Sequence, residues 1–220
     1  MKHLSGNEAC REFLLSLSPV KDPEHVKTVL EHLKVYVDLI LKHAKRRQLI
    51  AESQREPEAL WVHAFDSLQI LAVSSPTDWL ELWDAGSGNG FPGVPVATAV
   101  PSAKVRLIDR SLKKAEFLEL AVATLGLRGT TVHCQELSLA LADTDIAPIV
   151  AARALVQPEQ WRGVLKSITS RPRWIIFATD ANAEQWKQIA AEFSYTIKSI
   201  HRYTLPGTDT TRCLLNFSPS

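Results

Sequence analysis

The sequence predicts an α/β fold: an open, largely parallel sheet with an antiparallel hairpin at its C-terminal edge and a cap of helices at its N-terminus. Three observations carry this reading. The hydrophobic period is helical up to residue 76 and shortens after it, and beyond that point short strand-like segments alternate with helical ones. The last two strand-like segments are joined by a turn too short for a crossover helix, so they must pair antiparallel. At 220 residues, with 45% hydrophobic and 22% charged side chains, the composition is that of one globular domain of ordinary size, with or without a helical extension.

In the N-terminal part, Val29, Leu30, Leu33, Val37, Ile40, Leu41 and Ala44 recur at steps of three and four, making one apolar stripe on a long helix. Asp22 before Pro23 reads as a cap followed by a first-turn proline. Lys45-Arg46-Arg47 closes the helix with cations at the negative end of its dipole. After a polar stretch at 52–58, Leu60, Ala64, Leu68 and Leu71 line a second helix, which Ser74-Ser75-Pro76 ends. Strands are expected at 79–85, 104–109, 130–134, 148–152 and 173–179, with helices near 92–99, 111–126, 158–169 and 182–192. Segments 195–205 and 212–217 form the terminal hairpin around Pro206-Gly207-Thr208-Asp209. Residues 1–76 are then the helical cap and 77–220 the sheet domain.

Composition excludes several classes. Twenty-five Lys and Arg stand against 24 Asp and Glu, a net charge of +1, which excludes a strongly basic coat protein but leaves room for a local nucleic-acid patch. Cys10, Cys134 and Cys213 fit neither a secreted disulfide framework nor metal-ligand spacing, and Cys134 reads as part of the core. The histidines show no metal-ligand spacing either, so no metal is expected. The start lacks a signal-peptide core, and no stretch approaches the ~20 apolar residues that span a bilayer. A reducing cytoplasm without membrane attachment is the expectation.

The sharpest signal is Asp84-Ala85-Gly86-Ser87-Gly88-Asn89-Gly90-Phe91-Pro92-Gly93, which follows a strand and opens a helix. Glycines there let the chain turn tightly and let a ligand approach main-chain N–H groups at a helix N-terminus. Asp109 ends the next strand, 23 residues after Gly86, where a carboxylate can accept both hydroxyls of an adenosine ribose. Two nucleotide classes compete. Gly88, Gly90 and Gly93 satisfy the dinucleotide pattern G-x-G-x-x-G, but start two residues beyond the glycine that ends the strand. The run Gly86, Gly88, Gly90 with Asp84 before it suits S-adenosylmethionine, which has no pyrophosphate and offers an ammonium group for a nearby carboxylate or carbonyl.

WDAGSGNGFPGVPVA, VRLIDRSLKKAEFL and AARAL, preceded by VHAFDSL, together resemble the RsmG (GidB) family, which methylates a guanine at N7 in 16S ribosomal RNA. The similarity is collinear from about Val26 to the C-terminus. It implies a Rossmann-like class I methyltransferase sheet behind an N-terminal helical segment, S-adenosylmethionine as cofactor and small-subunit ribosomal RNA or a ribosomal particle as partner. Position by position, the resemblance implies a cofactor site around Gly86, Gly88 and Phe91, with Asp109 on the ribose and Glu136 and Leu137 lining the adenine pocket. Arg153 matches the arginine that the family places beside the cofactor. His63, Asp66 and Ser67 match its H-x-x-D-S motif. Three positions depart from the family pattern: Gln48-Leu49-Ile50 replaces Asn-Leu-Thr, Ala178-Thr179-Asp180 replaces a basic residue and glycine, and Gln135 replaces an arginine.

Guanine N7 carries an in-plane lone pair and no proton, so its methylation needs alignment rather than a general base. No nucleophile-and-base constellation is evident, and His63, Asp66 and Arg153 are the candidates for catalytic residues. His63 and Asp66 are also spaced to pair with each other on one helix, and Arg153 is equally able to form an interdomain salt bridge. The target guanine has to be unpaired or flipped out, which calls for phosphate-binding cations near the site. Lys45, Arg46 and Arg47, with Arg55, Lys113 and Lys114, are the candidates for RNA contact, although a basic run at a helix end is commonly just solvated.

Overall fold

The computed structural model describes residues 4–17, 20–47, 51–52, 55–153, 155 and 157–220, the side chains of residues 45–47 excepted. Helices α1 (Gly6–Ser16), α2 (Pro23–Arg47), α3 (Pro57–Leu68) and the single turn α4 (Ile70–Val73) come first. Pro23 and Pro57 both stand at a first helical position, where a missing N–H costs nothing. Helix α1 lies outside the expected elements. Its start is a capping box in which the Ser5 hydroxyl accepts from the Glu8 N–H, and the Glu8 carboxylate accepts from the Ser5 N–H at 2.9 Å.

The strands are β1 (Leu82–Ala85), β2 (Val105–Ile108), β3 (Thr130–His133), β4 (Ile149–Ala152), β5 (Arg173–Thr179), β6 (Tyr195–Thr204) and β7 (Thr211–Pro219). They form one sheet in the order β3-β2-β1-β4-β5-β7-β6. Strands β1 to β5 run parallel, and β7 lies antiparallel between β5 and β6. Helices α5 (Gly93–Ala99), α6 (Leu112–Leu125), α7 (Leu137–Ala142), α8 (Pro158–Ser167) and α9 (Ala183–Glu192) fill the connections. The first strand begins at Leu82 rather than 79. Pro76–Asp78 is a 3-10 turn, and the Trp79 indole donates to the Ser74 hydroxyl at 2.7 Å. Helix α7, six residues long, is too short to show a period and was not expected.

Alternation divides the sheet between two cores. Leu82, Leu107, Ala151, Ile175 and Leu214 face α5, α6 and the N-terminal helices, while Trp83, Ile108, Val150, Ile176 and Leu215 face α7, α8 and α9. Phe13, Leu33, Leu60 and Phe65 of the cap join Val94, Phe117 and Leu118 in one buried cluster. Strand β3 is an edge, which corrects one expectation: Cys134, just beyond it, is exposed rather than in the core.

Strand order reverses between β1 and β4, so the crevice at their C-terminal ends is the topological switch point. The register sets Ala85 opposite both Ile108 and Ala152, so the chain leaves β1, β2 and β4 at one level.

Candidate functional site

The loop after β1 is held by its own side chains. The Ser87 N–H donates to the Ile108 carbonyl, and its hydroxyl accepts from the Ile108 N–H, each at 2.9 Å, which prolongs the β1–β2 pairing into the loop. Gly86, Gly88 and Gly90 have φ of +69°, +60° and +96°, a region closed to most side chains. Asp84 is 1% exposed, and its Oδ2 accepts from the Gly93 N–H at 2.9 Å. It therefore ties the loop to the start of α5 from below, and is not presented as an open anchor for an ammonium group. Burial pushes its carboxyl up to about 7, against the pull of the Gly93 N–H.

Asp109, at the end of β2, braces the same loop. Its Oδ2 accepts from the Gly88 N–H at 2.8 Å and its Oδ1 from the Ser111 N–H at 2.9 Å. Each oxygen keeps a lone pair for a further donor. A cleft of about 380 Å³ opens here, with Gly86, Ile108, Asp109, Glu136, Leu137 and Leu155 on its wall. A Cβ on Gly86 would lie 2.5 Å from Leu155 Cδ1, whereas one on Gly88 would meet only the Gly86 carbonyl oxygen at 3.7 Å. A side chain at Gly86 would thus collide with Leu155, while Gly88 has open space beside it. Apolar walls for a flat base and a carboxylate for paired hydroxyls suit an adenosine moiety. Glu136 pairs with Arg110 at 3.2 Å on the exposed rim.

Gly88, Phe91 and Arg153 do not line that cleft; the last two belong to a second cluster beside it. The Arg153 Nε donates to Asp66 Oδ2 at 2.8 Å, and its Nη2 donates to His63 Nδ1 at 2.6 Å. The His63–Asp66 pairing allowed by their spacing is thus replaced by a shared arginine. Tyr203, on β6, donates its hydroxyl to Asp66 Oδ1 at 2.6 Å, and the Arg212 guanidinium on β7 lies 3.9 Å from Asp66 Oδ2. Phe91 packs against the His63 ring at 5.6 Å between centroids and lies 5.8 Å from the Arg153 guanidinium. Burial, with Arg153 adding to it, lowers the His63 imidazole to about 4. With Nδ1 accepting from Arg153, the neutral ring carries its proton on Nε2. Ser67 turns back to the His63 carbonyl at 2.7 Å and serves the helix.

Tyr203 and Arg212 escaped sequence reasoning because nothing local marks them; they reach Asp66 only through the terminal hairpin. Two of the departures from the family pattern have visible surroundings. Asp180 is paired with the Arg202 Nε at 2.7 Å, so its charge is compensated within the chain, and Gln135 stands on the cleft wall. Lys114 lies 3.8 Å from Asp109 Oδ2, and Arg55 lies 3.9 Å from Glu52. Gln48-Leu49-Ile50 and the side chains of Lys45, Arg46 and Arg47 fall outside the described residues. Among the described residues, no group of three His, Cys, Asp or Glu is placed to hold a metal, and no helix is long and apolar enough to cross a membrane.

The family model of GidB, rRNA small subunit methyltransferase G, matches residues 29–214. The chain belongs to this family. Its relatives include the ribosomal RNA small subunit methyltransferase G of Nitrosomonas europaea, 32% identical over 186 residues, which are 82% of this chain and 83% of that protein. The protein of the same name from Bradyrhizobium sp. is 34% identical over 178 residues, 77% of this chain and 75% of its own. The GidB fold is shared more widely. Magnesium protoporphyrin IX methyltransferase from Synechocystis PCC 6803 superposes with a TM-score of 0.58 at 16% identity, covering 86% of this chain and all of that one. Precorrin-6y C5,15-methyltransferase from Geobacter metallireducens gives 0.52 at 14% identity, covering 77% and 92%. These structures share with this GidB chain the class I methyltransferase fold. Its inserted antiparallel β7 differs from the dinucleotide-binding order, in which a parallel sixth strand adjoins the fifth.

Proposed function

We propose that this GidB chain transfers a methyl group from S-adenosylmethionine to N7 of a guanine in small-subunit ribosomal RNA. The observation that carries the reading is the adjacency of two unlike half-sites at one switch point. One is a glycine loop braced by Asp109, and the other is the His63–Asp66–Arg153–Tyr203 cluster, with Phe91 reaching from the loop into it. When bound, the cofactor supplies the electrophilic methyl group. Gly86 and Gly88 would hold it along the backbone, Asp109 at its ribose, and Leu137 and Leu155 at its base.

The remaining chemistry belongs to the protein. Guanine N7 has no proton to lose, so a base is not required. A neutral imidazole adds no positive charge as the purine becomes cationic. Arg153 and Tyr203 fix the helix that carries His63, so the acceptor is met by a preset surface, and alignment alone can supply ~7–11 kcal/mol of the barrier.

The test is transfer of labelled methyl from S-adenosylmethionine to small ribosomal subunits that lack N7-methylguanosine. Transfer should map to one guanine. Asp109→Ala should retain the folded structure and weaken cofactor binding about 10–100-fold, the range expected for losing charge-assisted hydrogen bonds. Absence of transfer by a preparation that binds the cofactor would exclude the ribosomal acceptor.

A further inference from the structure

Tyr36 lies midway along α2, in the apolar stripe of the cap, and is fully buried. A phenol in a core needs a partner for its hydroxyl. Its partner is not in the cap: the hydroxyl donates to the Asn89 carbonyl, in the middle of the glycine loop. The ring meets Phe91 edge-on at 5.4 Å between centroids. Burial and the neighbouring Asp84 both push the phenol upward, so it remains a donor.

Besides the Gly93 N–H on Asp84 and the Val94 N–H on the Gly90 carbonyl, the loop's backbone is anchored at three places. Ser87 is tied to β2 and Gly88 to Asp109, and both ties come from the sheet. The third lies at the peptide joining Asn89 to Gly90, which is held at both ends. Its N–H donates to the Ser87 carbonyl at 2.6 Å, and its carbonyl accepts from Tyr36. Gly90, on the C-terminal side of this peptide, has φ of +96°, which glycine adopts without a Cβ clash. The 89–90 peptide is held in its orientation by hydrogen bonds at both its N–H and its carbonyl.

We infer that Tyr36 is a positioning residue for the cofactor: its hydroxyl locks the Asn89–Gly90 peptide, so the N-terminal cap sets the affinity of the glycine loop. The inference rests on the reading that this loop holds S-adenosylmethionine. It gives the cap a part in cofactor binding although no cap side chain stands on the cleft wall among the described residues.

Calorimetric titration of S-adenosylmethionine into the full chain, Tyr36→Phe and Val37→Ala tests it. Tyr36→Phe keeps the ring and removes only the donor, and should raise the dissociation constant about tenfold, the scale of one buried hydrogen bond. In the transfer assay the KM for the cofactor should rise by a similar factor while kcat at saturation stays within twofold. Val37→Ala removes buried apolar atoms from the next position of the same helix and keeps the Tyr36 hydroxyl. It should lower the unfolding midpoint and leave the dissociation constant unchanged. A Tyr36→Phe constant within twofold of the parent would overturn the inference and leave the cofactor reading standing. So would a Val37→Ala constant raised as far as that of Tyr36→Phe, which would mark a general loosening of the cap. Failure of the parent chain to bind at all would overturn the cofactor reading, and this inference with it.

Discussion

Asp66 is 1% exposed and gathers Arg153, Tyr203 and, at longer range, Arg212 around one carboxylate. Stranding a buried charge costs more than the pair contributes, typically ~3–5 kcal/mol. Arg153→Met should therefore lower stability by about 3 kcal/mol in chemical denaturation, and adding Asp66→Asn should recover part of the loss by removing the uncompensated charge. His63 gives a residue-scale prediction in pH. Its imidazole protonates near 4 when folded against the usual 6.5, so between those values the unfolded chain binds the proton more strongly. The stability that His63 contributes is complete above pH 6.5 and is lost as pH falls through about 4. Asp84 runs the other way: raised to about 7 from 3.8, its contribution is complete below 3.8 and lost as pH rises through 7. Because the two slopes oppose each other between pH 4 and 6.5, unfolding free energies measured there should fall with pH in His63→Gln relative to the parent. In Asp84→Asn the decline toward pH 7 should disappear.

At the scale of elements, α8 and α9 are fastened to the sheet by aromatic edges. Trp161 meets Trp174 of β5 at 5.0 Å and Trp186 of α9 at 5.5 Å, both T-shaped. The indole nitrogens of Trp161 and Trp174 are buried without a hydrogen-bond partner among the described residues. Trp161→Ala should cost about 3–5 kcal/mol by leaving a large cavity. Trp161→Phe should cost under about 1.5 kcal/mol, because it also removes an unsatisfied donor. Val164 and Ser167 of α8 line the cleft, so Trp161→Ala should weaken cofactor binding as well, which a titration of the variant would read. The terminal hairpin is the other element with a functional consequence, since it delivers Tyr203 and Arg212 to Asp66. Its existence was legible from the short turn at Pro206 to Asp209, but its insertion with β7 next to β5 was not, because a hairpin satisfies its own pairing in either orientation.

For the whole molecule, the cap and the sheet domain share one buried cluster. Removing residues 1–76 would uncover Val94, Phe117 and Leu118, each fully buried against the cap. Each Å² of apolar surface so exposed costs roughly 25 cal/mol, against a typical stability of ~5–15 kcal/mol. The chain from residue 77 onward should give no cooperative transition in scanning calorimetry. A sharp transition near that of the full chain would show that the sheet domain folds alone.

By itself, the sequence determined what repeats locally. Period and turn residues place α2, α3, the parallel strands and the hairpin within a few positions, and the capping box before α1 was there to be read at Ser5 and Glu8. The glycine loop was equally legible, because backbone conformations that demand glycine leave their mark in consecutive residues. Tertiary structure alone decided the partners. Arg153 satisfies His63 and Asp66 from 90 and 87 residues away, Tyr203 reaches Asp66 across 137, and Tyr36 reaches Asn89 across 53. A buried hydroxyl or charge requires a partner but does not encode which one; the crossing of chain segments at the switch point makes that choice.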